Sequence, residues 1–327
     1  MNLFKQRIPY KPFEYPEYYT DGWLKQAQAF WLHTEIPMQG DVKDWNEKLT
    51  KSEKNLVGNI LLGFAQTECA VSDYWTQKVV GWFPKHEIQQ MAMMFGSQET
   101  IHAVAYSYLN ETLGLENFEA FLHEPATAAR FDNLVSYEGK DPVGIGKSLA
   151  VFSAFAEGVS LYSAFAVLYS FQLRNLLKGI GQQMKWSVRD ESLHSKMGCK
   201  LFRHMCQEIN GLQNECYEHV IKAAKTMLQA EERYIDKCLN KGTLKTLSLT
   251  TSNSLYENVL MKKLLNSVTA TNGSTLSLTK SQRAILTGST ILPGGTLILI
   301  FLLLGLLITR KLMKVKTLKI YGKKKYN

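Results

Sequence analysis

The sequence predicts an all-α protein, because long stretches carry apolar residues at helical spacing and no sustained β alternation occurs before residue 240. These stretches are longer than the average helix of a globular protein, which is typical of a helical bundle. The chain has 327 residues, which is enough to bury a large core. Five predicted helices follow one another, over about residues 50–83, 87–113, 143–168, 173–209 and 215–240.

Local signals mark several ends of these helices. Thr50 is followed three residues later by Glu53, a capping-box pattern that predicts the start of the first helix. Pro84 predicts the end of that helix, and Gly114 predicts the end of the second. The fourth predicted helix ends at the turn-forming pair Asn210–Gly211. These signals separate the long stretches into distinct helices.

The net charge of +9 is spread unevenly along the chain. Residues 251–327 carry 12 Lys and Arg against one acid, so the residues before them carry a net charge of about −2. The predicted helical body therefore lacks the basic surface that nucleic-acid binding requires, and we expect no direct nucleic-acid partner.

The five cysteines form no Cys-x-x-Cys pair, and the first 19 residues are polar and punctuated by proline, unlike a secretory signal peptide. An odd number of cysteines without paired spacing predicts free thiols and a cytoplasmic location. We expect Cys69 to pack in the core, which is the usual position of a free cysteine on an apolar helix face.

Two glutamates stand alone in apolar helices. Glu68 in the first predicted helix and Glu157 in the third are each the only charged residue over several helical turns. Such a residue can prove to lie at the surface, but an ionised carboxylate inside an apolar helix costs several kcal/mol unless it is paired or bound to a metal. Two of them in two helices indicate a shared function.

The second and fourth predicted helices each carry a Glu-x-x-His motif, whose two side chains lie on one helix face because they are three residues apart. One such motif is weak evidence. The order Glu, Glu-x-x-His, Glu, Glu-x-x-His on four successive helices, however, is the ligand set of a dinuclear carboxylate bundle. Four carboxylates and two imidazoles suit iron or manganese. The predicted ligands are Glu68, Glu99, His102, Glu157, Glu191 and His194.

On these motifs the chain resembles the small, radical-generating subunit of class I ribonucleotide reductases, over about residues 5–248. Three motifs carry the resemblance: Glu-x-x-His-x-x-x-Tyr ending at Tyr106, Asp-Glu-x-x-His beginning at Asp190, and Phe-Trp ending at Trp31. The spacings of 31 residues from Glu68 to Glu99 and 34 from Glu157 to Glu191 also match. The resemblance implies a ferritin-like fold, a homodimer and a large (alpha) subunit as partner.

The resemblance also implies how the site residues act. The metal pair activates oxygen, and a one-electron hole settles on Tyr106. The hole then passes through His102, Asp190 and Trp31 to the large subunit, which reduces ribonucleotides to deoxyribonucleotides. Taken alone, Tyr106 and Trp31 would be core aromatic residues, and Asp190 would be a carboxylate that orients a ligand histidine.

One departure from the family pattern, at Glu68, bears on the identity of the metals. Many family members have Asp at the position of Glu68, whereas some with mixed manganese–iron sites have Glu and often lack the tyrosine that Tyr106 supplies here. The resemblance therefore implies Fe/Fe first and Mn/Fe second, with a tyrosyl or a metal-based radical. Two alternatives remain open: another di-metal carboxylate oxidase without a large partner, and a metal-storage bundle.

Residues 249–327 depart from the family pattern and form a basic, apolar tail. The apparent transmembrane stretch at about 291–309 contains Leu297–Ile308, an apolar run of 12 residues that is shorter than the roughly 20 needed to span a bilayer. We therefore expect no membrane span, and a true tail anchor is the alternative. Read one base out of frame, the codons of the tail can encode a family-like "DWFYxxTGGxTHTDFF". This predicts a frameshift near residues 245–256, and a chain that fails to activate the large subunit.

Overall fold

The computed structural model describes residues 2–6, 8–115 and 139–238 of the chain. Within these ranges the regular secondary structure is helical throughout, which confirms the all-α prediction. The predicted tail, residues 249–327, lies outside the described residues, and so does the apparent transmembrane stretch. Among the described helices, none is both long enough and apolar enough to cross a bilayer.

The predicted helices are present, but several are composed of more than one kind of turn. The α-helices are α1 (Leu24–Gln28), α2 (Gln39–Glu47), α3 (Lys51–Asp73), α4 (His86–Thr112), α5 (Pro142–Val151), α6 (Leu161–Ser170), α7 (Lys178–Glu208) and α8 (Leu212–Cys238). Three π-helical segments adjoin them, Tyr18–Trp23 before α1, Tyr74–Val79 after α3 and Phe152–Ser160 between α5 and α6. A helical turn, Val80–Trp82, and the 3₁₀ turns His33–Glu35 and Phe171–Arg174 complete the set.

The core of the bundle lies between two pairs of helices. Helix α3 packs along α4, and α7 packs against the π-helical segment between α5 and α6. The faces between them are lined by fully buried aromatic side chains such as Phe64, Phe95 and Phe155. The first four of the five predicted helices therefore each contribute one wall of a single core.

The start of α3 has the predicted capping box. The Thr50 hydroxyl oxygen accepts a hydrogen bond from the Glu53 backbone N–H at 3.2 Å, and the Glu53 carboxylate accepts one from the Thr50 backbone N–H at 2.9 Å. The Glu53 carboxylate also pairs with the Arg174 guanidinium at 2.7 Å. Its buried charge is therefore compensated on both sides.

Helix α7 begins later than residue 173, where the apolar pattern predicts its start. The chain turns first through the 3₁₀ segment Phe171–Arg174, and then Asn175 and Leu177 adopt positive φ angles of 59° and 50°. A left-handed backbone conformation interrupts a helix, and apolar periodicity carries no information about it.

Two carboxylates of α2 cap the start of α7 from a distant part of the sequence. The Asp41 carboxylate accepts hydrogen bonds from the backbone N–H groups of Gly179 at 2.9 Å and Ile180 at 2.8 Å, and the Asp44 carboxylate accepts one from Leu177 at 3.0 Å. These bonds satisfy N–H groups that have no partner inside the helix, and they place negative charge at the positive end of the helix dipole. Helix α2 thereby fixes the helix that carries Asp190, Glu191 and His194.

The cysteines only partly follow the expectation. Cys199 and Cys216 are buried and Cys206 is partly buried, but Cys69 is exposed, so the prediction of a core position for Cys69 is wrong. Cys69 follows Glu68 directly, and adjacent residues of an α-helix point about 100° apart. Because Glu68 faces the core, Cys69 turns towards the outside of α3.

The cap on α7 predicts that Asp41→Ala lowers the free energy of unfolding by about 1–3 kcal/mol, because two buried N–H groups lose their acceptor. Urea denaturation of the metal-free protein measures the change. Asp21→Ala is the matched control, since Asp21 forms an exposed ion pair with Lys25 and its loss is expected to change stability by less than about 0.5 kcal/mol. Equal effects of the two substitutions would contradict the proposed cap.

Candidate metal centre

Six side chains that the sequence singles out converge inside the bundle, and all of them are fully buried. Helix α3 supplies Glu68, α4 supplies the first Glu-x-x-His motif, the π-helical segment Phe152–Ser160 supplies Glu157, and α7 supplies the second motif. They form two groups, each with one donor atom per residue within 4.8 Å of the others: Glu68, Glu99, His102 and Glu191; and Glu99, Glu157, Glu191 and His194. Glu99 and Glu191 belong to both groups.

The shared glutamates each present one oxygen to each histidine. The Nδ1 atom of His102 lies 2.8 Å from Glu99 Oε2 and 3.0 Å from Glu191 Oε1. The Nδ1 atom of His194 lies 2.5 Å from Glu99 Oε1 and 3.6 Å from Glu191 Oε2. The cluster therefore has two centres, one beside each imidazole, with Glu99 and Glu191 between them.

The electrostatics of the cluster are dominated by burial and by the excess of carboxylates. Burial, with Glu191 and Glu99 nearby, raises the pKa of Glu68 well above its usual value, and burial raises the pKa of Glu157 to about 8. Burial alone would lower the pKa of His102 and His194, but the neighbouring carboxylates, Glu99 foremost, raise both pKa values well above the usual one. The cluster favours positive charge among its carboxylates.

Several donor atoms of the cluster are buried without a hydrogen-bond partner. Both carboxylate oxygens of Glu68 have no such partner, whereas Glu99 Oε1, Glu191 Oε1 and the two Nδ1 atoms face only other members of the cluster. A buried polar atom without a partner costs free energy unless something binds it. Oxygen donors with two imidazole nitrogens are the set that iron and manganese prefer, so the residues present fit a pair of such ions.

The far nitrogens of both imidazoles are held by side chains outside the cluster. His102 Nε2 lies 3.2 Å from Asp190 Oδ2, and His194 Nε2 lies 3.1 Å from the side-chain oxygen of Gln26. Both partners are acceptors, so a proton on Nε2 is favoured and Nδ1 is left to face the cluster. The sequence indicated Asp190 but not Gln26, because an amide in a helix of five residues carries no distinguishing pattern.

Glu157 is held by a tryptophan that no sequence pattern indicated. Trp75, in the π-helical segment after α3, donates from Nε1 to Glu157 Oε1 at 2.6 Å. Helix α7 packs closely against this contact, because a Cβ atom at Gly198 would lie 2.1 Å from Ser153 Oγ and 3.3 Å from the Trp75 ring. Both π-helical segments thus lie at the cluster, as such segments frequently do at functional sites.

Tyr106 lies one helical turn after His102, and the centroids of the two rings are 6.1 Å apart. The tyrosine is fully buried, and its hydroxyl donates a hydrogen bond to Ser187 Oγ at 2.7 Å. Its aromatic neighbour is Phe64, at a centroid distance of 4.9 Å. The structure therefore brings Tyr106 beside the cluster, with a serine hydroxyl facing the phenol oxygen.

Trp31 and Asp190 extend the cluster on the side of His102. Trp31 is 2% exposed, donates from Nε1 to Asp190 Oδ2 at 2.7 Å, and stacks on the His102 ring at 5.7 Å. The same oxygen of Asp190 accepts from Gln98 at 3.1 Å. A continuous set of short contacts therefore joins His102, Asp190 and Trp31.

Comparison with known proteins agrees with this geometry. The family model of the ribonucleotide reductase small chain matches residues 7–272, and so extends beyond residue 248, at which the motif-based resemblance ends. Among curated proteins, a probable ribonucleoside-diphosphate reductase small subunit of Invertebrate iridescent virus 6 is 34% identical over 262 residues, 74% of this chain and 72% of that protein. The ribonucleoside-diphosphate reductase subunit beta of Chlamydia pneumoniae is 26% identical over 256 residues, 73% of each chain.

Solved structures establish the ferritin-like fold. The dimanganese(II)-NrdF of Streptococcus sanguinis superposes with a TM-score of 0.67 at 20% identity, covering 81% of this chain and 92% of that one. An R2-like ligand-binding oxidase with an Mn/Fe cofactor superposes with a TM-score of 0.65 at 16% identity, covering 77% and 92%. At these identities the likeness concerns the fold.

The unpartnered oxygens of Glu68 predict that this proposed metal ligand lowers the stability of the metal-free protein. Glu68→Met is expected to raise the free energy of unfolding of the metal-free protein by about 1–3 kcal/mol, because a buried carboxyl group that lies among other carboxylates is replaced by an apolar side chain of similar size. Urea denaturation in the presence of a chelator measures it.

Glu53→Met is the control for that experiment. Glu53 is equally buried but is paired with Thr50 and Arg174, so its replacement is expected to lower stability by about 1–3 kcal/mol. Destabilisation by both substitutions would show that Glu68 is not electrostatically strained.

Proposed function

The chain belongs to the ribonucleotide reductase small-chain family, and from that premise we propose that its six converging side chains hold the dinuclear metal centre of a radical-generating subunit. Small subunits of this family supply the radical with which a large subunit reduces ribonucleoside diphosphates to deoxyribonucleotides. The observation that carries the proposal is the pair of four-residue groups that share Glu99 and Glu191, with Tyr106 one turn from His102.

The assignment of ligands follows the two groups. Glu68 and His102 would hold one ion, Glu157 and His194 the other, and Glu99 and Glu191 both. When bound, the metal pair supplies oxygen activation and a one-electron oxidant. We propose Fe/Fe as the native pair, because Tyr106 is present. Mn/Fe is the second candidate, since Glu68 is a glutamate and the solved structures of this fold include dimanganese and Mn/Fe proteins.

We propose that Tyr106 carries the radical and that Asp190 and Trp31 lead it towards the protein surface. Burial would raise the pKa of Asp190, but the hydrogen bonds from His102 and Trp31 hold it below the usual value. An ionised Asp190 accepts from both rings at once, so it fixes them 5.7 Å apart. The exposed Phe30 marks the surface next to Trp31.

The proposed partners are a second copy of this chain and a large reductase subunit. The yeast relative Rnr4, of the same fold, was solved as a homodimer. An R2-like oxidase or a metal-storage bundle is the less favoured function, because neither requires a buried tryptophan that donates to a carboxylate bound to the ligand histidine.

Loading the metal-free protein with Fe(II) and oxygen is expected to produce a tyrosyl-radical signal in electron paramagnetic resonance. Tyr106→Phe is expected to abolish this signal while the metal content stays the same, because Tyr106 is not one of the six proposed ligands. Tyr108→Phe is the control on the same helix, since Tyr108 contacts His33 rather than the cluster.

Two outcomes would refute the proposal at different points. A signal that persists in Tyr106→Phe and disappears in Tyr108→Phe would show that the radical residue is misassigned. Absence of any tyrosyl or metal-based radical from protein that has bound two metals, under Fe/Fe and Mn/Fe loading, would refute the radical-generating function.

We also propose that part of residues 249–327 is translated in a shifted frame. Nucleotide sequencing is expected to show, one base out of register, an open frame that encodes the family-like segment. Stop codons in that frame would refute the frameshift.

The frameshift gives a prediction for activity in a coupled assay with a large subunit. The chain as it stands is expected to bind metal but to give no turnover, and the same chain with the frame restored is expected to give turnover. Turnover by the present chain would contradict the prediction.

A further inference from the structure

The phenol of Tyr106 faces a hydroxyl group in the buried core of the bundle. Tyr106 Oη and Ser187 Oγ are 2.7 Å apart, and both side chains are fully buried. The ring of Phe64 packs on Tyr106 and on Phe165, at centroid distances of 4.9 Å each. A buried hydroxyl group without a hydrogen bond costs about 1–3 kcal/mol, so each of the two hydroxyls depends on the other.

Ser187 has no place in the cluster described above. It lies on α7 one turn before Glu191 and belongs to neither group of donor atoms. Serine has a lower helix propensity than alanine or leucine, and an apolar residue would be enough for packing at this buried position. The contact with Tyr106 gives the residue a reason to be polar.

We propose that Ser187 is a positioning residue for Tyr106, which keeps a hydrogen bond on the phenol oxygen both before and after its oxidation. The inference rests on the proposed function of Tyr106 and deepens it. Before oxidation the phenol O–H donates to Ser187, which holds the ring in one orientation beside His102. A serine hydroxyl has both a rotatable donor and two acceptor lone pairs, so it can serve either state of its partner.

The direction of the hydrogen bond between Tyr106 and Ser187 must reverse when Tyr106 is oxidised. Tyr106 loses one electron and one proton to the oxidant that the metal pair supplies, and no covalent bond to Ser187 forms or breaks. The phenoxyl oxygen that remains can only accept. Ser187 then turns its own O–H towards that oxygen, and its donation stabilises the radical and lengthens its lifetime.

The test compares four proteins: the wild type, Ser187→Ala, Ser187→Thr and Ser148→Ala. Ser148→Ala is the matched control, because Ser148 forms the same kind of buried pair with Tyr74, at 2.9 Å. Ser187→Thr keeps the hydroxyl group. Equal metal content and equal circular dichroism establish that the variants are folded.

After loading with metal and oxygen in D₂O, electron–nuclear double resonance is expected to show an exchangeable deuteron coupled to the radical in the wild type, Ser187→Thr and Ser148→Ala. Ser187→Ala is expected to lose this coupling, to show a higher largest g value, and to lose its radical several-fold faster. An unchanged coupling and g value in Ser187→Ala would overturn the proposal.

A second measurement separates this proposal from the function of Tyr106. In the metal-free protein, the ultraviolet resonance Raman difference between wild type and Tyr106→Phe reports whether the phenol donates a hydrogen bond. Ser187→Ala is expected to change that difference spectrum and Ser148→Ala to leave it unchanged. If no protein forms a radical, the proposed function fails, and this spectrum still decides whether Ser187 holds Tyr106.

Discussion

The burial of four carboxylates with only two imidazoles is the constraint on which the rest of this bundle depends. Each charge that is taken out of water needs a partner, and the cluster has too few of its own. The surrounding residues supply hydrogen bonds: Trp75 donates to Glu157, while Asp190 and Gln26 accept from the far nitrogens of the histidines. Both oxygens of Glu68 stay without a partner within the described structure, and two cations would compensate the excess of negative charge.

The same constraint explains the helix geometry around the cluster. Glu157 and Trp75, which bond to each other, both lie in π-helical segments. A π-helical segment shifts the side chains that follow it around the helix axis, so it can turn a ligand inwards without breaking the helix. The close approach of α7 at Gly198 belongs to the same arrangement, because a larger residue there would displace Ser153 and Trp75.

The helices and the six converging residues could be predicted from the sequence, because both leave a recognisable spacing of residues along the chain. Isolated glutamates in apolar stretches and Glu-x-x-His motifs are visible as spacing, and the capping box at Thr50 is visible as a pair. The residues from distant parts of the chain that hydrogen-bond to the cluster, to Tyr106 or to the start of α7 show no such spacing. Gln26, Trp75 and Ser187 were missed for this reason, and so was the cap on α7 by Asp41. Their residue types are ordinary, and only the fold brings them to their partners.

The cap on α7 and the contacts of Asp190 together connect stability with the proposed radical path. Asp190 lies on α7, and its carboxylate must meet Trp31, which precedes α2, as well as His102 on α4. Since the Asp41 carboxylate bonds the first turn of α7, α2 sets the axial position of α7. A shift of α7 along its axis would separate Asp190 from Trp31, and Ser187 from Tyr106, at the same time. The start of one helix therefore governs both the proposed path and the environment of the proposed radical.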